Sequence, residues 1–187
     1  MNDQLLQALQ GLHANGRRLD GHIAVLRRHL PEAVPVLVGL LTHPDPAWRL
    51  RAASALGRLR ATPVTAMPAL RQLLRSPDAG ARIAAIIALE ALPTEARRRA
   101  VPAVTHLLQS QPSSGAAFTE VRTHLPRAIA AHFVGLHGGP SGLVALGAMR
   151  KRRKDPVAHQ IQAAIEEAKA RLAGSRIVLK ARRRTKG

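Results

Sequence analysis

Two runs of basic residues near the end of the chain have the clearest chemical capability. Residues 150–187 hold 13 of the 29 lysines and arginines but 3 of the 11 acidic residues, and so carry +10 of the net charge of +18. Guanidinium groups bind phosphate oxygens in bidentate fashion, and clustered positive charge attracts polyanions. We therefore expect contact with nucleic acid, without strong sequence specificity because no groove-reading motif accompanies the charges. The residues expected to make these contacts are Arg150, Lys151, Arg152, Arg153, Lys154, Arg176, Lys180, Arg182, Arg183, Arg184 and Lys186.

Other partners are compatible with the same charge pattern. The basic segment can meet an acidic protein surface instead of nucleic acid, or it can remain solvated and serve only solubility. Protein binding or self-association through another part of the chain also stays open. DNA and RNA are not distinguished, because sequence-independent contact with phosphate does not separate them.

The nine histidines raise the question of a metal site. Glu120 and His124 are four residues apart and share one face if this segment is helical. No third ligand follows at a matching spacing, and His106, His132 and His137 are scattered, so we expect no metal and no cofactor. The absence of cysteine excludes disulfides and thiolate catalysis.

A glycine-rich segment at residues 135–142 precedes a predicted helix, where backbone amides can hold a phosphate. It lacks the spacing of the Rossmann and P-loop motifs, so we interpret it as a turn between repeats that Ser141 caps. No nucleophile with a neighbouring base is found elsewhere in the chain. The protein is therefore expected to be non-catalytic.

The elements that position these residues repeat along the chain. Residues 33–59 and 66–92 share a pattern of about 27 residues at an offset of 33, and Pro35, Pro68 and Pro102 keep a similar rhythm. Such a period is typical of a helical solenoid, in which each helix pair buries its apolar face against its neighbours. The lack of tyrosine and the abundance of alanine and leucine also favour an all-α fold.

Helix signals divide the chain into three parts. Residues 1–30 are predicted to form N-terminal capping helices, residues 31–174 the repeats, and residues 175–187 a basic, mobile tail. Asp45 and Asp78 are predicted to cap the second helix of the first and second repeats. Residues 176–180, at the start of the tail, are expected to be extended.

Each of the first two repeats contains paired leucines, an aspartate, a dipeptide of an apolar residue followed by arginine, and a run of small residues. In the first repeat these are Leu40-Leu41, Asp45, Trp48-Arg49 and Ala55-Leu56-Gly57. The pattern resembles HEAT repeats of the phycobilisome-lyase HEAT-like type. The resemblance implies a short right-handed α-solenoid of about four helix pairs, partner binding, and a hydrogen-bonded ladder between neighbouring repeats. The implied ladder residues are Asp45, Arg49, Asp78 and Arg82.

The second helix of repeat two is apolar on nearly every side. Besides its core stripe it carries Ile83, Ile86 and Ile87. A solvent-facing cluster of this kind marks an interaction surface, so we interpret these three residues as a candidate protein interface.

HEAT-like alkylpurine DNA glycosylases share the implied architecture and are a remote alternative. The resemblance to them implies aromatic residues and an acid around a damaged base. This chain offers only Trp48, Phe118 and Phe133, and the helical spacing places Trp48 on the core stripe.

Membrane insertion is not expected. No stretch approaches 18 apolar residues, and residues 1–18 lack both a basic start and a continuous apolar core. We therefore expect a soluble, cytoplasmic protein without a membrane partner.

Overall fold

The computed structural model describes residues 3–13, 17–109, 120–150 and 157–184, with the backbone alone for residues 13, 17, 120–124, 150 and 175–184. Within these ranges all regular structure is helical, which confirms the predicted all-α class. Two short 3-10 helices lie at Gly11–His13 and Val64–Ala66. The α-helices are α1 (Asp3–Gln10), α2 (Arg17–Arg28), α3 (Leu30–Leu40), α4 (Pro46–Leu59), α5 (Met67–Leu73), α6 (Ala79–Glu90), α7 (Thr94–Gln109), α8 (Glu120–His137), α9 (Gly139–Arg150) and α10 (Ala158–Arg184).

The chain forms two compact units, Met1–Ala100 and Val101–Gly187. In the first unit α3 pairs with α4 and α5 pairs with α6, while α4 packs against both α2 and α6. The cores of the two pairs use equivalent positions. Ala52 and Leu56 of α4, and Ala85 and Leu89 of α6, are all fully buried, as the 33-residue offset predicts. Small and branched side chains at these positions let neighbouring helices pack closely.

Both predicted aspartate caps are confirmed. The Asp45 carboxylate accepts a hydrogen bond of 2.8 Å from the backbone N–H of Ala47. The Asp78 carboxylate accepts one of 2.7 Å from the backbone N–H of Ala81. Each bond satisfies an amide that the helix itself cannot pair, and each carboxylate lies at the positive end of a helix dipole.

Gly57 allows α4 and α6 to approach each other closely. A Cβ atom at this position would lie 2.7 Å from Cγ2 of Ile87 and 3.1 Å from its carbonyl carbon. The second contact is with backbone, which cannot rotate away. The glycine that ends the small-residue run of the first repeat is therefore required by helix packing.

Arg60 ends α4 in a conformation that glycine normally adopts. Its φ of 53° and ψ of 36° are left-handed, and its N–H and that of Ala61 donate to Gly57 and Leu56, at 3.1 and 3.3 Å. This is a Schellman C-cap with a side chain at the position that favours glycine. We expect Arg60→Gly to raise the free energy of unfolding by about 0.5–1 kcal/mol in chemical denaturation. Arg60→Ala removes the same charge but keeps Cβ, and an equal gain from it would contradict the backbone explanation.

The second unit is built on α8, α9 and α10, each of which contacts the other two. Phe133, Leu146 and Ile161 are fully buried and come one from each of these helices. Among the side chains of α10 that the structure describes, which end at residue 174, Ala168 is the last buried one. None of the helices in the described ranges is both long and apolar enough to span a bilayer.

Helix α2 begins at Arg17 and has Asp20 in its first turn. One boundary differs from the sequence prediction. Helix α10 continues to Arg184, so the extended segment predicted at 176–180 is wrong and the boundary at residue 174 is not a helix end. Alanine, leucine, lysine and arginine are all strong helix formers, and once a helix exists each further residue adds a hydrogen bond.

Candidate functional site

Arg49 and Arg82 each hold the turn that precedes their own helix. Nη1 of Arg49 donates to the carbonyl oxygens of His43 and Pro44, both at 2.7 Å. Nη1 of Arg82 donates to those of Ser76 and Pro77, at 2.7 and 2.8 Å. The two arginines therefore make the same pair of bonds one repeat apart, in an arrangement that we call the arginine hook.

The arginine hook differs from the ladder that the resemblance implied. The hydrogen bonds of Arg49 and Arg82 each lie within one repeat, and both side chains are half-buried. Burial lowers the pKa of Arg82, and the nearby Asp78 carboxylate acts in the opposite direction. The aspartates cap the helices and the arginines bind the turn carbonyls. In each repeat, therefore, one aspartate and one arginine stabilise the same turn. A structural role for all four residues remains our interpretation.

A cavity of about 390 Å³ lies between the turn that precedes α4 and the turn that precedes α6. One wall is formed by residues 41–44 and Arg49, and the other by residues 75–77 together with Ala69, Gln72 and Leu73 of α5. The hooks of both repeats bind carbonyl groups of these walls.

Trp48 is not in the core, contrary to the spacing argument. Its side chain is half-buried, the guanidinium carbon of Arg51 lies 5.4 Å from the ring centroid, and the His43 ring lies 6.1 Å away. Phe133 is fully buried, and Phe118 lies outside the described residues. The aromatic residues available to a glycosylase-like pocket are thus reduced to Trp48 within the described part of the chain.

The three isoleucines of α6 do not form one surface. Ile86 is fully buried, Ile83 is half-buried and Ile87 is 42% exposed. Placing Ile86 in an interface was wrong, because α6 packs against both α4 and α5 and more than one of its faces is covered. Ile87 remains the exposed member, beside Gly57.

The two basic clusters are only partly described. Arg150 is the last residue of α9, and residues 151–154 lie outside the described ranges. Arg176, Lys180 and Arg182 to Arg184 lie in the last turns of α10, which has 27 residues and is therefore about 40 Å long, while Lys186 is outside the described ranges. Side-chain positions in both clusters are outside the described part of the molecule.

The remaining candidates have structural explanations. The glycine-rich segment joins α8 to α9, and a Cβ at Gly138 or Gly142 would lie 2.5 or 2.8 Å from the carbonyl oxygen of Val134. Ser141 is inside α9, where its hydroxyl donates to Gly138 at 2.9 Å, so it is not the residue preceding the helix. His132 lies 3.4 Å from Glu167, and no group of three metal-binding side chains occurs among the described residues. Glu120 and His124 have no described side chains.

Sequence reasoning missed Arg127. Its side chain is 6% exposed, and Nε donates to the carbonyl oxygen of Leu108 at 3.0 Å. A buried guanidinium at the last turn of α7 satisfies a carbonyl that the helix leaves unpaired. No local pattern identifies it, because its partner lies 19 residues away.

The comparisons with known proteins agree with a helical repeat fold. Residues 2–89 match the family model for HEAT repeats, which does not confirm the phycobilisome-lyase type. No curated protein matches the chain. Twelve chains of solved structures match, among them an engineered protein from the Northeast Structural Genomics Consortium with 20% identity and a TM-score of 0.51, covering 90% of this chain and 80% of that one. A second engineered protein from the same consortium has 22% identity and a TM-score of 0.48, covering 88% of this chain and 47% of that one. The first likeness supports an all-α solenoid and concerns the fold alone.

Proposed function

We propose that this protein is a non-catalytic repeat scaffold that binds nucleic acid electrostatically through the basic residues of positions 150–154 and 176–186. The observation that carries the proposal is the excess of 13 basic over 3 acidic residues in positions 150–187. HEAT repeats are generally non-enzymatic, which agrees with the lack of a nucleophile and base in the sequence. Arginine predominates in the clusters, and its planar guanidinium matches the geometry of phosphate.

The length of α10 makes the proposal more specific. A duplex that lies along the whole of α10, which is about 40 Å long, has about 12 base pairs. A shorter duplex cannot follow the helix over its full length.

The test is a titration of the full-length protein with duplexes of about 24 and about 8 base pairs at several salt concentrations. Each neutralised phosphate adds about 0.9 to the slope of log affinity against log salt, so the longer duplex should give the steeper slope. RNA of the same two lengths shows whether the nucleic acids are distinguished. Equal slopes for both lengths would contradict contact along the full length of α10.

An acidic protein is the alternative partner, because HEAT repeats commonly mediate protein–protein interaction and Ile87 offers an exposed apolar contact. Polyglutamate of matched charge serves as the comparison in the same titration. If the protein binds the carboxylates of an acidic protein as well as it binds phosphates, polyglutamate and DNA will bind with equal affinity. Lack of nucleic acid binding at low salt would reject our first proposal in favour of the protein scaffold.

A further inference from the structure

The cavity between the turns that precede α4 and α6 has the donors and the size of a binding site. It lies in the first unit, whereas the basic clusters belong to the second. Its volume of about 390 Å³ is within the range of small-molecule pockets. The described side chains that line it include Arg49, Arg75 and His43 but no carboxylate. The lining is therefore positively charged.

The arginine hooks remove the groups that would repel an anion. Four backbone carbonyls of the two turns already accept guanidinium N–H donors, at distances between 2.7 and 2.8 Å. The neighbouring carboxylates of Asp45 and Asp78 accept bonds from helix N-termini and do not line the cavity. The two carboxylates next to the cavity are thus hydrogen-bonded to helix N-termini before any ligand enters.

Several donors remain for a ligand. Arg75 is exposed, and within the described part of the chain it makes no side-chain hydrogen bond or ion pair. Arg49 uses only Nη1 in its hook, which leaves Nη2. Nδ1 of His43 accepts the backbone N–H of Asp45 at 3.1 Å, so the neutral ring carries its proton on Nε2. The Gln72 amide lies on the same wall.

We propose that this cavity binds a phosphate monoester of about mononucleotide size. The guanidinium groups of Arg75 and Arg49 bind the phosphate, because a dianion with three terminal oxygens can use both positive charges and the neutral donors beside them. The organic part contacts the apolar side chains of the lining, such as Leu41, Leu73 and Pro77. A free nucleotide and the 5′-phosphate end of a nucleic acid strand present the same chemistry.

The chain contains one tryptophan, and it reports on this site. Trp48 lies 6.1 Å from the ring of His43, which lines the cavity. The fluorescence of the full-length protein is titrated with adenosine 5′-monophosphate, inorganic phosphate and adenosine. We expect saturable changes with the monophosphate, weaker ones with inorganic phosphate, and none with adenosine at tenfold higher concentration.

Arg75→Gln should weaken binding of the monophosphate about 10-fold, which corresponds to the loss of one charge-assisted hydrogen bond. Arg28→Gln is the matched control, since Arg28 is also exposed and does not line the cavity. Gln72→Ala is a second variant that leaves the charge unchanged and should weaken binding by a smaller factor. Calorimetry of all three variants confirms that the affinities do not depend on the fluorescence signal.

Oligonucleotides with and without a 5′-phosphate distinguish the two sources. A strand end is identified when the phosphorylated strand binds more tightly than the same strand without phosphate and Arg75→Gln removes the difference. Equal binding of the two strands, with saturable binding of adenosine 5′-monophosphate, identifies a free nucleotide. No saturable response to any phosphate, equal binding of adenosine, or equal losses in Arg75→Gln and Arg28→Gln would overturn the proposal. Because Arg75 is outside both basic clusters, neutralising those clusters leaves this binding intact, and the two proposals fail independently.

Discussion

Replacing Arg182, Arg183 and Arg184 together with glutamine is expected to lower the salt dependence of DNA binding. Each lost phosphate contact removes about 0.9 from the log-log slope, so the slope should fall by up to about 3. Glutamine is a good helix former, and the substitutions should therefore preserve α10. The measurement is a titration of the variant and the unchanged protein on the same long duplex at several salt concentrations. Replacing the basic residues of Arg150 to Lys154 with glutamine as well should lower the slope further.

The control variant has the same net charge as the cluster variant. Arg18, Arg28 and Arg99 are exposed and lie in the first unit, and their replacement by glutamine removes three charges outside the clusters. If binding depends on the clusters, this variant should retain nearly the full slope. If the two triple variants lose the same amount, net charge alone governs the interaction and the assigned residues have no special role.

The second large effect is expected from the arginine hooks. Arg49→Ala and Arg82→Ala each leave two turn carbonyls without their charged hydrogen-bond donor. Each should therefore lower the free energy of unfolding by about 2 kcal/mol. The value is below that for a fully buried guanidinium because both side chains are half-buried. The double variant should lose about 4 kcal/mol, since the two hooks lie in different repeats. Chemical denaturation monitored by circular dichroism measures these changes.

Arg51→Ala is the matched control for the hooks. Arg51 lies on the same helix as Arg49, is half-buried to a similar degree and stacks on Trp48 without binding a turn. Its removal should cost about 0.5–1 kcal/mol, the usual contribution of a cation–π contact. Equal losses in the Arg49 and Arg51 variants would mean that the hook bonds add nothing beyond side-chain packing.

The comparison of α4 and α6 shows which features local sequence can predict. Asp45 and Asp78 cap these helices as expected, and the alanines and leucines at equivalent positions are buried. Both outcomes depend on interactions within a few residues and on the 3.6-residue period of the helix. The same local reasoning was wrong for Ile86 and Trp48, because burial of a side chain also depends on which other helices cover it.

The sequence by itself determined the helical class, the repeat period and the asymmetric distribution of charge, since these are properties of composition and short-range pattern. Only the tertiary structure decided what the long side chains contact. Arg49 and Arg82 bind their own turns, and Arg127 is buried at the end of α7. A flexible arginine can reach acceptors in several directions, and packing selects one of them. The cavity between the turns likewise exists only because α3 and α5, which precede those turns, belong to successive helix pairs of the same unit.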